Sequence, residues 1–322
     1  MCSQMVSKER VLMGIDGGGT KTEFVLFTET GQILHKQKLS RSNPNDIGLV
    51  QCCEILSEGI DLMLQKVTTV SGVFAGIAGC STGNNGERVE TYLRRRYPSI
   101  HIAVDTDGEN VLSCNTNSAD SMALICGTGS VLFAREKGIR HRIGGWGYLF
   151  DESGSAYDIG KDALRAALSQ LDGMGERTIL SDLLKVELKA DIWDSLGEVY
   201  QKGKSYIASL APVVFRAYML GDRVAEAIIQ KSADHLALLI DTAMKKYECG
   251  NSVVACGGLI EHFREILVPM IEKSLQSQVE FVFPDVPPVY GACVESCRRA
   301  GIMPGKSFYE IFCTEYLNDT YN

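Results

Sequence analysis

Short apolar runs along the first part of the chain favour β-strands. Runs at 10–15, 22–28 and 32–39 are separated by turn residues, and they predict an antiparallel three-stranded meander. A helix is predicted at 48–67, where apolar residues recur every three or four positions, and another at 87–97. Strands at 73–78 and 99–104 complete a β-β-β-α-β-α-β unit, which indicates a mixed sheet covered by helices.

A similar strand–turn–strand pattern begins again at residue 122. Strands are predicted at 122–126, in the run after the turn, at 139–143, 252–256 and 279–283, and helices at 156–171, 176–188, 191–201, 204–219, 222–247, 261–276, 289–300 and 306–316. Two such units imply a duplicated α/β architecture. We expect an N-terminal domain at 1–116 and a C-terminal domain at 117–322, with the last helix as a candidate to pack back on the first domain.

The turn after the first strand has a composition suited to binding phosphate. Glycine lets backbone N–H groups face an anion with no Cβ in the way, and a neighbouring carboxylate can hold Mg²⁺. The alternative is a tight hairpin with its glycines at positive φ. We interpret the turn as a phosphate-binding hairpin with a metal anchor, formed by Asp16, Gly17, Gly18, Gly19, Thr20 and Lys21.

Two further glycine-rich turns follow predicted strands. The first is Gly127-Thr128-Gly129-Ser130, which lies between two apolar runs as the earlier turn does. The second is Gly257-Gly258, which follows the strand at 252–256 and could place an adenine or ribose against the backbone. Together the three turns predict a nucleotide ligand held between two similar halves.

Composition restricts the partners and the compartment. The formal charge of −8 argues against nucleic-acid binding, and no apolar run reaches the roughly 18–20 residues of a membrane span. We see no signal peptide, so we expect a cytoplasmic protein. Most of the eleven cysteines are expected to be small buried thiols in a reducing compartment, although a cluster of Cys80, Cys114 and Cys126 is an alternative.

Three blocks resemble the N-acetylglucosamine kinase branch of the sugar kinase/actin/hsp70 superfamily, which is grouped with the BadF/BadG/BcrA/BcrD ATPase-like proteins. They are IDGGGTKTE at 15–23, ICGTGSV at 125–131 and GGWGYLFDESGSAYDIG at 144–160, and the resemblance covers essentially the whole chain. It implies two ribonuclease-H-like, actin-like ATPase domains with a nucleotide and sugar cleft between them. It also implies ATP and Mg²⁺ as cofactors.

The resemblance assigns roles to matching positions. Asp16 resembles the metal-associated acid, and Asp107 resembles the base that takes the proton of the sugar 6-hydroxyl. For ATP the matching residues are Gly17, Gly18, Gly19, Thr20, Lys21, Thr128, Gly129, Gly257 and Gly258, with Ala217 as a weaker match. For the sugar they are Asn43, Asp107, Gly145, Trp146 and Asp151.

Several of these residues have structural alternatives. Asp107 could cap a helix, and Asp105 is a rival base two positions earlier. Asn43 precedes a proline and could be an ordinary turn residue. Trp146 could fix its loop onto the core, and one of Asp151 and Glu152 is expected to cap the following helix.

Two departures from the family pattern affect the sugar side. An additional Ser153 stands before Gly154-Ser155, where the family often has Gly-Asp-Glu-Gly-Ser. The loop of Asn43 continues as Pro44-Asn45, which differs from the eukaryotic enzymes. The exact sugar is therefore the part of the interpretation that the sequence supports least.

The leading hypothesis is an ATP-dependent kinase that phosphorylates the 6-hydroxyl of N-acetylglucosamine, with a small-molecule sugar as partner. Glucosamine and N-acetylmuramic acid are alternative substrates. A different class is a BadF-type ATPase activator of a reductase or dehydratase, which would hold an iron–sulfur cluster through cysteines in a pattern absent around Cys126. A sugar sensor or repressor is a third class, disfavoured because no DNA-binding extension is visible. The anomer, the nucleotide preference and the oligomeric state stay open, with a homodimer as one option.

Overall fold

The computed structural model describes residues 9–114, 120–152 and 154–318. In chain order the strands are β1 (Val11–Gly17), β2 (Lys21–Thr28), β3 (Ile33–Ser40), β4 (Gly72–Ile77), β5 (His101–Asp105), β6 (Met122–Cys126), β7 (Ser130–Glu136), β8 (Ile139–Ile143), β9 (Ser252–Cys256) and β10 (Glu280–Val282). The helices are α1 (Pro44–Ile47), α2 (Leu49–Leu64), α3 (Asn85–Arg96), α4 (Asp107–Cys114), α5 (Ala156–Leu171), α6 (Leu180–Leu188), α7 (Ile192–Ala208), α8 (Ala211–Met219), α9 (Arg223–Lys246), α10 (Gly258–His262), α11 (Arg264–Ser274), α12 (Pro288–Arg299) and α13 (Lys306–Asn318).

The first compact unit is built on a five-stranded sheet of order β3-β2-β1-β4-β5. Strands β1, β2 and β3 pair antiparallel, as the meander predicted, and β1, β4 and β5 pair parallel. The central strands β1 and β4 are nearly continuous apolar runs because both of their faces are covered. Residues of α2 and α3 pack on one face with Met13 and Ile15, and α12 and α13 pack on the other with Leu12.

The chain divides differently from the sequence-based boundaries after residue 283. Residues 284–318 belong to the first unit, whereas the sequence placed them in the second domain apart from a last helix packing back. Close packing explains the assignment of α12. A Cβ built on Gly14 of β1 would lie 2.6 Å from Cys293 Sγ, and one on Gly291 would lie 1.7 Å from the Asn110 carbonyl oxygen of α4.

The second compact unit, residues 120–152 with 154–283, repeats the arrangement of the first sheet. Its strand order is β10-β9-β6-β7-β8, with β6, β7 and β8 antiparallel and β6, β9 and β10 parallel. The duplicated α/β architecture, with two ribonuclease-H-like units, is therefore confirmed. The core of this unit is formed mainly between the sheet and α5, α6, α8 and α9.

Two local features of the helices differ from the sequence pattern. The polar segment predicted as a loop at 40–46 contains one helical turn, α1, because Asn43 caps it and Pro44 suits its first position. The break predicted after residue 201 is present as a kink at Gly203 within α7, where φ is 67°. The helix predicted at 204–219 is instead interrupted between Ala208, where α7 ends, and Ala211, where α8 begins. Within the described residues, no helix is long and apolar enough to cross a membrane.

Candidate active site

The turn between β1 and β2 is open enough to admit a ligand. The amide of Gly18 donates to the carbonyl of Lys21 at 2.9 Å, which closes the turn. None of its three glycines has a positive φ, so the tight-turn alternative does not explain them. Gly17 is packed against Ile77 and Ser42, but a Cβ on Gly18 or Gly19 would meet no atom closer than 3.4 Å. Neither backbone conformation nor packing requires glycine at these two positions, which favours close approach of a ligand.

Asp16 lies near the end of β1, beside this turn. Its Oδ1 accepts a hydrogen bond of 2.6 Å from Asn110 Nδ2. The pKa of Asp16 is raised to about 7, chiefly by burial and also by the nearby carboxylates of Asp107 and Glu23, against the lowering effects of Asn110 and Lys21. A cation would relieve this unfavourable charge, and carboxylate oxygen is a preferred donor for Mg²⁺. The residues present therefore fit a magnesium ion.

Carboxylates meet at the carboxyl edge of the first sheet. Asp16, Gly76 and Asp105 are aligned across the parallel strands β1, β4 and β5. Asp107 follows β5 after one residue and is the first residue of α4. This edge is where ligands of open α/β sheets generally bind.

Asp107 and its rival Asp105 have different surroundings. Asp107 Oδ1 accepts hydrogen bonds from Thr106 Oγ1 at 2.8 Å and from the Gly108 amide at 3.0 Å, so this oxygen supports the start of the helix. One oxygen of Asp105 accepts from the Thr106 amide at 2.7 Å, and the other lies 3.9 Å from Arg299 Nη2. Arg299 would compete with a substrate hydroxyl for Asp105, which favours Asp107 as the base.

Asn110 is a site residue that the sequence reasoning missed. It is fully buried in α4, one turn after Asp107, and it contacts Asp16. The available signal was its spacing, since residues three apart on a helix share a face. From the sequence, the residues after Asp107 predict only the start of a helix.

In the structure Asn43 acts as a turn residue, which was the alternative to a sugar-binding role. It caps α1, and its Oδ1 accepts from the Asn45 amide at 2.9 Å. Asn45 in turn donates to Thr82 Oγ1 at 3.0 Å and accepts from Asn85 at 3.1 Å. These bonds join the loop of Asn43 to the polar segment after β4, which the sequence reasoning left without a role.

In the second unit, the turn of Thr128 and Gly129 is fixed by the start of α5. The carbonyl of Gly127 accepts from the Ala156 amide at 2.9 Å, and that of Thr128 accepts from the Tyr157 amide at 3.3 Å. A Cβ on Gly129 would meet no atom within 4 Å. As in the first turn, the fold itself does not require glycine there.

The Gly257-Gly258 pair lies beside this turn. Gly257 has a φ of +108°, and a Cβ there would lie 2.6 Å from the Cys126 carbonyl oxygen. Gly258 has no atom within 4 Å of its Cβ position, and a Cβ on Gly127 would lie 3.6 Å from the Gly258 amide nitrogen. The two turns thus form one surface at the carboxyl ends of the parallel strands β6 and β9.

Trp146 does not plug a core. Its side chain is 66% exposed, so the alternative of a packing tryptophan is wrong. Gly144, Gly145 and Gly147 all have positive φ and give the loop its shape. The Arg142 guanidinium carbon lies 3.9 Å from the centre of the Trp146 ring, a cation–π contact that orients the indole.

Asp151 supports the same loop and does not cap a helix. Its Oδ2 accepts from the Trp146 amide at 3.1 Å. The expectation that Asp151 or Glu152 caps α5 is wrong, because Ser155 and Asp158 form a reciprocal capping box there. Glu152 instead lies 3.4 Å from both Lys161 and Lys231. The additional Ser153 lies outside the described residues.

Ala217 offers no surface to a nucleotide. It is fully buried within α8, and its carbonyl accepts from the amides of Leu220 and Asp222. This burial argues against the weaker match made from the sequence. An alanine in a helical pattern gives no signal of which face it occupies until the neighbouring helices are placed.

A sequence model of the BadF/BadG/BcrA/BcrD ATPase family matches residues 13–296. The chain is 32% identical over 267 residues to the N-acetylmuramic acid/N-acetylglucosamine kinase of Clostridium acetobutylicum, covering 79% of this chain and 86% of the relative. It is 31% identical over 297 residues to the N-acetyl-D-glucosamine kinase of Dictyostelium discoideum, covering 84% and 91%. A crystal structure from Chromobacterium violaceum, provisionally named an N-acetylglucosamine kinase, matches with a TM-score of 0.74, 22% identity and coverage of 89% and 98%. That structural likeness shows the fold alone.

Proposed function

The chain belongs to the BadF/BadG/BcrA/BcrD ATPase family, and we propose that it is an ATP-dependent amino-sugar kinase that phosphorylates the 6-hydroxyl of N-acetylglucosamine. The observation that carries the proposal is the carboxyl edge of the first sheet. There Asp107 lies close enough to Asp16 to raise the pKa of Asp16, directly beside a turn in which the fold does not require Gly18 or Gly19 to be glycine. The names of the two relatives, both of which include N-acetylglucosamine kinase, support the substrate class.

The proposed roles follow the chemistry of phosphoryl transfer, which needs positioning, charge neutralisation and a proton acceptor. In the first unit, the turn of Gly17, Gly18 and Gly19, with Thr20 and Lys21, lies against the β- and γ-phosphates. The amide of Gly18 closes this turn through its hydrogen bond to the Lys21 carbonyl and is not counted as a phosphate donor. Asp16 holds Mg²⁺, directly or through water. When bound, the metal neutralises developing charge on the phosphates.

Asp107 is the proposed general base. Its carboxylate accepts the proton of the sugar 6-hydroxyl as that oxygen attacks the γ-phosphorus and the bond from phosphorus to the β-phosphate oxygen breaks. Asn43 binds a sugar hydroxyl through its amide group, which offers donors as well as an acceptor. The hydrogen bond from Asn45 fixes the Asn43 side chain for this contact.

In the second unit, Thr128 and Gly129 contact the phosphates, and Gly257 and Gly258 lie against the nucleoside. Gly145, Trp146 and Asp151 form the sugar-binding loop, with Asp151 acting chiefly through the backbone of Trp146. An exposed indole held by Arg142 suits the apolar face of a sugar ring or its N-acetyl group. Ala217 is left out of the proposed site because it is buried.

N-acetylmuramic acid is a second candidate substrate, since the Clostridium relative is named for both sugars. An assay of ADP release with N-acetylglucosamine, N-acetylmuramic acid and glucosamine tests the proposal and ranks the sugars. We expect sugar-dependent ADP release with N-acetylglucosamine. Equal ATP hydrolysis with and without any sugar would contradict the proposal.

The surroundings of Cys126 do not support the alternative class, an ATPase activator with an iron–sulfur cluster. Cys126 is fully buried at the end of β6, and burial raises the pKa of its thiol. A cluster ligand must be a thiolate, so this environment disfavours the role. A purified protein with the absorption of an iron–sulfur cluster would revive this class.

A further inference from the structure

The Asn110 side chain fills a buried space that the neighbouring elements leave for it. Its side chain is fully buried, and its Nδ2 donates to Asp16 Oδ1 at 2.6 Å and to the Gly76 carbonyl at 3.2 Å. Both partners are acceptors, so the amide orientation is determined by chemistry, because a flipped amide would turn its oxygen toward two oxygens. The contact joins α4 to β1 and β4.

Two glycines leave the space that Asn110 fills. A Cβ on Gly76 would lie 2.1 Å from Asn110 Oδ1, and a Cβ on Gly291 would lie 1.7 Å from the Asn110 carbonyl oxygen. Real Cβ contacts essentially never fall below 3.0 Å. Neither glycine has a positive φ, so space rather than backbone conformation requires them. The side chain is therefore held between β4 and α12 with little freedom to move.

Stability alone does not account for an asparagine here. Its Oδ1 is buried, and it has no hydrogen-bond partner among the residues that the structure describes. A buried acceptor without a partner costs roughly 1–3 kcal/mol, a cost that an apolar side chain of similar size would avoid. What such a side chain could not supply is the donor to Asp16.

The bond commits one carboxylate oxygen of Asp16 and leaves Oδ2 for a cation. Asp107 stands three residues before Asn110 on the same short helix. One asparagine thus ties the strand that carries the acid to the helix that carries the base. Partners that orient a carboxylate ligand commonly contribute 10–100-fold to metal affinity.

We propose that Asn110 is a positioning residue that orients the Asp16 carboxylate toward the metal of the nucleotide complex. The inference rests on the proposed function in one respect, namely that Asp16 faces that metal. It goes further by assigning the orientation to a residue outside the family blocks noted above. Asn110 touches neither substrate nor phosphate in this role.

The test measures metal binding directly rather than turnover. Free Mn²⁺ is followed by electron paramagnetic resonance as it is titrated into the protein with ADP present. We expect Asn110→Ala to weaken Mn²⁺ binding about 10–100-fold. Asn110→Leu fills the same space without a hydrogen-bond donor, so it should show the same loss of Mn²⁺ affinity. It provides the test if Asn110→Ala folds poorly.

Ser113→Ala is the matched control. Ser113 is also fully buried in α4, but its hydroxyl donates to Glu295 Oε1 at 2.7 Å and accepts from Arg298 Nη1 at 3.2 Å, and both of these partners lie on α12 rather than at Asp16. This variant loosens the same helix and should bind Mn²⁺ within about twofold of the wild type. Wild-type affinity in both Asn110 variants, or an equal loss in Ser113→Ala, would overturn the proposal.

The same titration separates this inference from the kinase assignment. If Mn²⁺ binding falls only in the Asn110 variants while no sugar is phosphorylated by the wild type, the positioning role stands and the proposed function fails. If the wild type phosphorylates the sugar but its Mn²⁺ affinity does not depend on Asn110, the proposed function stands and this inference fails. A wild type that binds no Mn²⁺ with ADP contradicts both.

Discussion

Substituting Gly291 by alanine perturbs the placement of the proposed base without touching it. The new Cβ would lie 1.7 Å from the Asn110 carbonyl oxygen, so α4 or α12 must retreat by about 1.3 Å to restore even a 3.0 Å separation. Helix α4 has eight residues and begins at Asp107, so the movement reaches the carboxylate. A misplacement of ~1 Å can cost ~10²-fold in rate.

The expected result for Gly291→Ala is a kcat lowered by about 10²-fold, with the free energy of unfolding lowered by roughly 1–3 kcal/mol from overpacking. Turnover is measured by coupled ADP release with N-acetylglucosamine, and stability by urea unfolding. Gly197→Ala is the control, because Gly197 lies in α7 with no atom within 4 Å of its Cβ position. That variant should keep its kcat and gain about 0.5–1 kcal/mol in stability. A Gly291→Ala variant with kcat within threefold of the wild type would refute this reasoning.

Two further predictions concern Asp16 and the exposed tryptophan. Burial raises the pKa of Asp16 to about 7, so the folded chain retains a proton that the unfolded chain releases, and stability falls as pH rises from about 4 to about 7. Without Mg²⁺, Asp16→Asn should therefore exceed the wild type in urea stability by about 1–4 kcal/mol at pH 8 but not at pH 4, and parallel pH curves would contradict this. Trp146→Ala should raise the KM for the sugar at least ~10-fold with little change in stability. Trp193 is a similarly exposed tryptophan, so Trp193→Ala is the control and should change neither quantity. Equal effects of the two substitutions would contradict the sugar-binding role of Trp146.

The strands and their pairing were largely predictable from sequence. Buried central strands are continuous apolar runs bounded by turn residues, and the second Gly-rich turn repeated the first, so the duplication was visible. The boundary at 283 was not predictable. An amphipathic helix such as α12 has the same pattern whichever sheet it covers, and only the close contacts of Gly14 and Gly291 decide between them.

The glycine turns and Asp16 could be singled out from the sequence as candidate site residues, because a motif reveals residues that are close along the chain; their roles stay predictions. The family match confirms the resemblance on which their roles rest. Asn110 was missed because its significance depends on tertiary contacts with Gly76 and Gly291. The capping of α5 was misassigned for a related reason, since Asp151 is occupied by the backbone of Trp146.

The proposed reaction is the transfer of a phosphoryl group from ATP to an amino sugar, with Asp107 as the base. The most direct measurement is ³¹P NMR of wild type and Asp107→Asn, each incubated with ATP, Mg²⁺ and N-acetylglucosamine. We expect the wild type to form a sugar 6-phosphate in equal amount to ADP, and the variant to do so at a rate at least ~10²-fold lower while still binding the nucleotide. A wild type that forms inorganic phosphate instead of a sugar phosphate, or a variant as fast as the wild type, would contradict it.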